Sequence, residues 1–135
     1  MASGDVPTFS GLVMDLNTAK RGYGLHIRTI QKVNSLAHVR APFGFDGRFM
    51  DLDSATTIRD GISQVIAEAP GLADHAVALA YILNHEDTYN FRLGERQASL
   101  EHDLGIGKKS RESLEKAGIQ VLAHALLMQA RVQRA

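Results

Sequence analysis

The sequence predicts a mainly α fold, a compact bundle of about five helices with a small irregular or β-containing N-terminal part. Three observations lead to this prediction. The 135 residues are 44% hydrophobic and 22% charged, which is typical of a globular chain that buries a core without disulfides. Apolar residues recur at helical spacing after residue 54. Glycine and proline interrupt that spacing at intervals suited to short turns between helices.

The clearest helix is predicted over residues 55–69, with Asp53 or Ser54 as its N-terminal cap and Pro70 after its end. Its apolar residues follow one another at spacings of four, three, one and three: Ile58, Ile62, Val65, Ile66 and Ala69. Such spacing places all of these side chains on one side of a helix. We therefore expect this face to lie in the core.

Four further helices are predicted after this one, over residues 72–84, 93–104, 108–117 and 120–132. Residues 72–84 are the most apolar and are expected to be the central buried helix. Gly118 is interpreted as the glycine that ends the helix of residues 108–117. The predicted core is one contiguous cluster: Ile58, Ile62, Val65, Ile66, Leu72, Leu79, Leu83, Leu100, Leu104, Leu114 and Leu122.

Residues 1–50 are expected to form an N-terminal basic segment, and residues 51–135 a helical domain. Residues 8–16 hold alternating and β-branched apolar residues, which is compatible with a short strand. A basic amphipathic helix is predicted over residues 26–39, with Arg28 and Lys32 on its exposed side. Its inward residues would be Ile27, Ile30, Val33 and Ala37. An aromatic loop is expected to follow.

The net charge of zero hides an uneven distribution of charge along the chain. Residues 16–50 carry six Lys/Arg against one acid, and residues 51–90 carry seven acids against one Arg. Residues 91–135 carry eight Lys/Arg against five acids. Two basic segments could face one anionic partner while the acidic middle segment faces solvent.

The stretch that indicates a function is the glycine turn, residues 105–111, with the sequence Gly-Ile-Gly-Lys-Lys-Ser-Arg. Glycine allows the backbone to approach a ligand closely, and unpaired N–H groups at the start of a helix favour an anion. Lys108 and Lys109 would add positive charge beside Ser110 and Arg111. The glycine turn is therefore a candidate phosphate-binding site.

The glycine turn resembles the helix-hairpin-helix motif, which binds the DNA backbone without sequence specificity. In that family an apolar residue precedes Gly-apolar-Gly, and a basic residue, a small residue and a helix follow. The matching residues are Leu104, Gly105, Ile106, Gly107, Lys109, Ser110 and Leu114. The hairpin and residues 114–119 are also similar to the C-terminal domain of the RNA polymerase α subunit, which binds promoter DNA. Arg111 departs from the pattern, since the family has a small or apolar residue there.

The same residues also resemble a helix-turn-helix motif. Leu100, Leu104, Gly105, Ile106, Ser110 and Leu114 fall on its pattern. This resemblance implies that the second helix, which carries Lys108, Lys109 and Arg111, enters the major groove. Two residues depart from the pattern: Glu101 replaces a small residue between the helices, and Arg111 replaces an apolar one. The sequence leaves both motifs open, together with a structural turn that binds nothing.

We expect a DNA-binding protein, regulatory or architectural, that contacts duplex DNA without a cofactor. The predicted contact residues are Gly105, Ile106, Gly107, Lys108, Lys109, Ser110, Arg111, Arg28 and Lys32. The alternative is a helical adaptor, structural or inhibitor protein, for example of a phage or mobile element, that acts through protein–protein contacts. The sequence leaves formation of a homodimer open.

An enzyme is not expected. The chain has no cysteine, and its six histidines lack the i, i+4 spacing of a two-histidine metal site on a helix. Residues 76–83 form the longest nearly apolar run, which is too short to span a bilayer. The N-terminus lacks the basic and apolar regions of a secretory signal. The expected location is therefore the cytoplasm.

Overall fold

The computed structural model describes residues 7–32 and 35–134 of the chain, without the side chains of residues 133 and 134. Within these residues there are seven α-helices and no strand, which confirms the mainly α fold. The helices are α1 (Phe9–Ala19), α2 (Ile27–Gln31), α3 (Ala37–Arg40), α4 (Leu52–Glu68), α5 (Ala76–Leu83), α6 (Leu93–Leu104) and α7 (Lys108–Arg134). Short 3₁₀ turns, Ala41–Phe43 and Ala73–His75, precede the loop before α4 and the start of α5.

The strand expected over residues 8–16 is wrong, because these residues form most of α1. The Thr8 hydroxyl caps this helix by accepting a hydrogen bond from the backbone N–H of Gly11 at 3.0 Å. Leu12, Leu16 and Ala19 are buried at spacings of four and three residues, which is a helical rather than an alternating face. This face packs against α7.

The single helix expected over residues 26–39 is also wrong, because the chain forms two short helices, α2 and α3. Leu36 lies between them with a φ of 52°, a left-handed conformation that no α-helix contains. The fully buried guanidinium of Arg40 donates to the carbonyls of Ile30 and Lys32 near the end of α2. Those carbonyls therefore bond to Arg40 instead of continuing a helix. Val33 and Asn34 lie outside the described residues.

Helix α7 runs without interruption from Lys108 to Arg134, so the interpretation of Gly118 as a helix-ending residue is wrong. A Cβ at Gly118 would lie 3.3 Å from side-chain carbons of Leu79 in α5. A side chain at residue 118 would therefore press on Leu79, because α5 and α7 pack closely together. In this helix close packing outweighs the unfavourable helix propensity of glycine.

The predicted core is confirmed at most positions. Ile58, Ile62, Leu72, Leu79, Leu83, Leu100 and Leu122 are all fully buried in one cluster, and Ile66 is 4% exposed. Val65 and Leu114 are partly buried against this cluster. Leu104 is an exception, because it is 44% exposed at the end of α6. Helix α4 begins earlier than expected, and Asp51, not Asp53 or Ser54, caps it by accepting from the Ser54 N–H.

A buried arginine joins three parts of the fold. The Arg96 side chain in α6 is fully buried, and all five of its N–H donors are bonded to backbone carbonyls. The carbonyls lie at the end of α1, in the last turn of α5 and just before α6: Lys20, Gly22, Tyr81, Ile82 and Phe91. Burial lowers the pKa of Arg96, although the charge of Glu115 opposes that effect. Arg96 therefore fixes where α6 starts relative to α1 and α5.

Within the described residues, no single helix is long and apolar enough to cross a membrane. The bent pair Leu52–Glu68 and Ala73–Leu83, at 115°, meets the criteria of length and composition only when its two helices are taken together. Several apolar residues of this pair, including Ile58, Ile62 and Leu79, are fully buried in the core.

Replacement of Ile62 by alanine tests the core. Ile62 is fully buried in α4, so Ile62→Ala should lower the free energy of unfolding by about 2–5 kcal/mol. Leu52→Ala is the matched control, since Leu52 begins the same helix but is 60% exposed. The control should cost less than about 1 kcal/mol in urea unfolding. Equal effects of the two substitutions would contradict the assignment of the core face.

His85 gives the fold a dependence on pH. Its side chain is buried, its Nδ1 lies 2.7 Å from the Ser63 hydroxyl, and its Nε2 has no partner among the described residues. Burial lowers the pKa of His85, and the negative charge of Glu86 opposes this effect. Because the unfolded chain then binds the proton more readily than the folded one, acidification favours unfolding.

The free energy of unfolding should fall as the pH drops from about 7 to 5, starting at the ordinary histidine pKa of about 6.5 and continuing down to the lowered folded value. His85→Gln should flatten this part of the profile, measured by urea unfolding at each pH. His124→Gln, which changes an exposed histidine, is the control and should keep the slope of the wild type. An unchanged slope in His85→Gln would contradict the effect of burial.

Candidate nucleic-acid interface

The glycine turn connects α6 to α7 through a compact, hydrogen-bonded end of α6. Gly105 has a φ of 65°, the left-handed conformation that favours glycine. Its N–H donates to the carbonyl of His102, and the N–H of Ile106 donates to that of Glu101 at 3.0 Å. These two bonds form a Schellman motif, which satisfies carbonyls at the end of a helix. The turn therefore has a defined backbone conformation.

Gly107 occupies the position just before α7, where a capping side chain usually lies. Its carbonyl accepts from the N–H of Arg111, but it has no side chain to pair with the first N–H groups of the helix. Those groups belong to Lys108, Lys109 and Ser110, and no described side chain accepts a hydrogen bond from them. A Cβ built on Gly107 would meet no heavy atom within 4 Å. The start of α7 is thus open to an approaching anion.

Two lysines and two exposed acids lie close to this helix start. Lys108, Lys109 and Ser110 are exposed, and neither lysine forms an ion pair within residues 7–32 and 35–134. Two exposed acids lie close in sequence, Asp103 and Glu112. Asp103 accepts a hydrogen bond from the Tyr81 hydroxyl, and that bond raises the pKa of Tyr81. One of the two nearby carboxylates is therefore engaged with α5.

Arg111 points into the protein. It is only 7% exposed, and its guanidinium donates to Glu101 of α6 at 2.6 Å and to Glu115 one turn further along α7. Burial alone would lower the pKa of Arg111, but the hydrogen bonds to Glu101 and Glu115 raise it above its ordinary value. The two residues that depart from the helix-turn-helix pattern, Glu101 and Arg111, thus form an ion pair across the contact between α6 and α7.

Glu115 extends this network to α1. Its carboxylate is almost fully buried and accepts hydrogen bonds from Lys20 at 3.1 Å and from Gln97 at 2.9 Å, in addition to Arg111. The same groups line a cleft of about 430 Å³ between α1, α6 and α7. The first turns of α7 are therefore held from two sides, and the glycine turn is supported by a rigid base.

The structure does not bring all of the predicted contact residues together. Lys108, Lys109 and Ser110 lie together at the start of α7. Arg28 and Lys32 are exposed on α2 and just after it, and α2 packs against α4. The predicted contact residues therefore belong to two separate elements of the fold, the start of α7 and the region of α2.

Four residues of this region were not predicted from the sequence: Lys20, Gln97, Glu115 and Lys116. Lys116 is exposed at the edge of the cleft and follows Lys109 by seven residues, so both lie on one side of α7. That spacing was readable in the sequence. The pairing of Lys20 with Glu115 was not, because 95 residues separate them.

Comparisons with protein-family models, curated proteins and solved structures return no match for this chain. The two resemblances of the glycine turn therefore stay predictions from the sequence. The described residues contain no group of three or more histidine or acidic side chains placed to hold a metal ion. A proposal for the function must rest on the geometry of the chain itself.

Replacement of Arg111 tests the ion pairs under the glycine turn. Arg111→Met removes the cation that pairs with Glu101 and Glu115, and should lower the free energy of unfolding by about 3–5 kcal/mol. Lys109→Met is the matched control, since Lys109 lies two residues earlier in the same helix but is exposed. The control should change stability by no more than about 0.5 kcal/mol in urea unfolding. Equal midpoints for the two variants would contradict a structural role for Arg111.

Proposed function

We propose that this protein binds duplex DNA by holding the phosphate backbone at the glycine turn, in a regulatory or architectural role. The observation that carries the proposal is the open start of α7. Three neighbouring N–H groups, those of Lys108, Lys109 and Ser110, lie after a glycine that leaves them uncovered. Such groups, together with the positive end of the helix dipole, form an anion-binding site.

The lysines at the start of α7 suit the phosphates of a nucleic acid better than the carboxylate of a small molecule. Lys108 and Lys109 stand beside the N–H groups, and Lys116 lies two turns further along the same helix. The exposed acid Glu112 lies between Lys109 and Lys116 on that side, so the cations at the start of α7 are the ones best placed to neutralise a phosphate. The support of α7 by Arg111, Glu101 and Glu115 keeps the N–H groups in place before the ligand arrives.

The burial of Arg111 favours the helix-hairpin-helix mode over the helix-turn-helix mode. In a helix-turn-helix, side chains of the second helix read base edges, and Arg111 was one of the expected readers. Here its guanidinium is already bonded to Glu101 and Glu115 inside the protein. A site formed by backbone N–H groups and lysines contacts phosphates, which position a protein without reading the sequence. We therefore expect binding that is independent of the DNA sequence.

The proposal concerns the glycine turn and leaves out the other basic surface. Arg28 and Lys32 lie on and just after α2, which packs on α4, and they belong to a different element from the glycine turn. Because the predicted basic residues belong to two different elements, a helical adaptor is the alternative proposal. In that case the glycine turn only connects α6 and α7. The two proposals differ in whether binding to DNA is detectable and salt-dependent.

Gly107→Val should abolish binding to duplex DNA without unfolding the protein. The position has ordinary backbone angles and open space, so the new side chain fits, but it covers the N–H groups that follow. Gly94→Val is the matched control, because Gly94 also lies near a helix start with open space around it and is remote from the turn along α6. Gel shifts measure the binding of duplex DNA by the wild type and the two variants, and circular dichroism checks that each variant is folded.

The salt dependence gives a second measurement of the same site. Binding by the wild type should weaken steeply as salt is raised, and Lys108→Ala combined with Lys109→Ala should reduce the slope of log K against log salt by about 2. A selection on randomised duplexes should enrich no sequence. Binding that persists in Gly107→Val, or the absence of binding at low salt, would contradict the proposal and favour the adaptor.

A further inference from the structure

A groove runs between α4 and the C-terminal half of α7, at the other end of α7 from the glycine turn. Two adjoining cavities of about 540 and 370 Å³ form it, and they share Val65, Glu68 and Gln129. Phe43 closes one end by packing its ring on Gly61, where a Cβ would collide with it. We name this feature the α4–α7 groove.

The floor of the α4–α7 groove is largely apolar and follows helical spacing on both sides. Along α4 and its C-terminal cap the lining residues recur every four positions: Thr57, Gly61, Val65 and the cap residue Ala69. On α7 they are Ala125, Met128, Gln129 and Val132. Met128 is 44% and Val132 72% exposed, although both belong to an apolar stripe of α7. Apolar rows of this kind on two neighbouring helices are typical of grooves that accept a third helix.

The edge of the groove on α4 is acidic. Asp60, Gln64 and Glu68 follow one another every four residues beside the floor, and all three are exposed. Neither acid forms an ion pair within the described part of the chain. On the α7 side, Arg131 lies near the sulfur of Met128, at 3.9 Å, and supplies the opposite charge. The two edges therefore differ in sign.

We propose that the α4–α7 groove docks an amphipathic helix of another protein, with an apolar stripe on the floor and lysines or arginines along the flank that faces α4. The apolar floor, the length and the acidic edge together select this partner. The row from Thr57 to Ala69 covers thirteen residues, and its twelve steps along the helix rise by about 18 Å, or three helical turns. This inference does not depend on DNA binding, since about 25 Å of α7 separates Lys108 from Ala125.

The test uses two fluorescein-labelled peptides of about 16 residues, each with leucines at helical spacing along one face. One peptide carries lysines along one flank, and its partner carries glutamates at the same positions. Fluorescence anisotropy with the full chain measures binding of each. The lysine peptide should bind at least about tenfold more tightly than the glutamate peptide, because rim charges of opposite sign attract.

Variants at exposed positions assign the binding to the groove. Asp60→Lys combined with Glu68→Lys should reverse the preference between the two peptides. Val132→Asp should abolish binding of both, because it places a charge on the apolar floor. Met14→Asp is the control: Met14 is 68% exposed, but it lies on α1, away from the groove, and should change nothing.

Three results would overturn the proposal. The first is a preference that the double lysine variant leaves unchanged. The second is the absence of binding of either peptide to the wild type. The third is a dimer in sedimentation velocity that Val132→Asp dissolves, since the groove would then be covered by a second copy of this chain. Loss of DNA binding in Gly107→Val has no bearing on any of them.

Discussion

The arrangement of the helices depends most on the buried guanidinium of Arg96. A buried cation without a bonded carboxylate is costly unless every donor has an acceptor, and here five carbonyls supply them. Four of those carbonyls lie at or just after the C-terminal ends of α1 and α5, where helix dipoles place partial negative charge, and the fifth, that of Phe91, lies just before α6. The planar fork of arginine can reach all of them, whereas the ammonium group of lysine has only three donors. Arg96 thereby fixes the origin of α6, and α6 determines where the glycine turn emerges.

A second network of ion pairs holds α7 against α6 and thereby fixes the position of the glycine turn between them. Arg111 of α7 forms ion pairs with Glu101 of α6 and with Glu115 of its own helix. Glu115 also pairs with Lys20, the residue just after α1. Each charge in this network has an opposite partner, which is the condition under which buried ions are tolerated. The outcome is a helix start whose N–H groups are uncovered while its first turns are held in place. The glycine turn therefore combines exposure to a ligand with rigidity, and the proposed phosphate contact needs both.

Local sequence patterns predicted the features that depend on residues close together in the chain. The spacing of Ile58, Ile62 and Ile66 was enough for α4, and the two glycines were enough for the turn at residue 105. The failures involve partners distant in the chain. Glycine is common just after the end of a helix, but Gly118 lies inside α7, where it packs against Leu79 of α5. Arg40 divides the expected helix of residues 26–39 because it bonds the carbonyls of Ile30 and Lys32 near the end of α2. Arg111 looked available for DNA because its partner Glu101 lies across a turn. Exposure of a charged residue cannot be judged from its own helix alone.

Backbone N–H groups at the start of α7 are proposed to hold phosphate. Amide chemical shifts of the isotopically labelled protein, followed during titration with a short duplex at low salt, report on these groups one by one. The largest shift changes should fall on Gly107, Lys108, Lys109 and Ser110, with Arg28 and Lys32 nearly unaffected. Changes centred on α2, or no change at residues 107–110 while DNA is bound, would contradict this proposal.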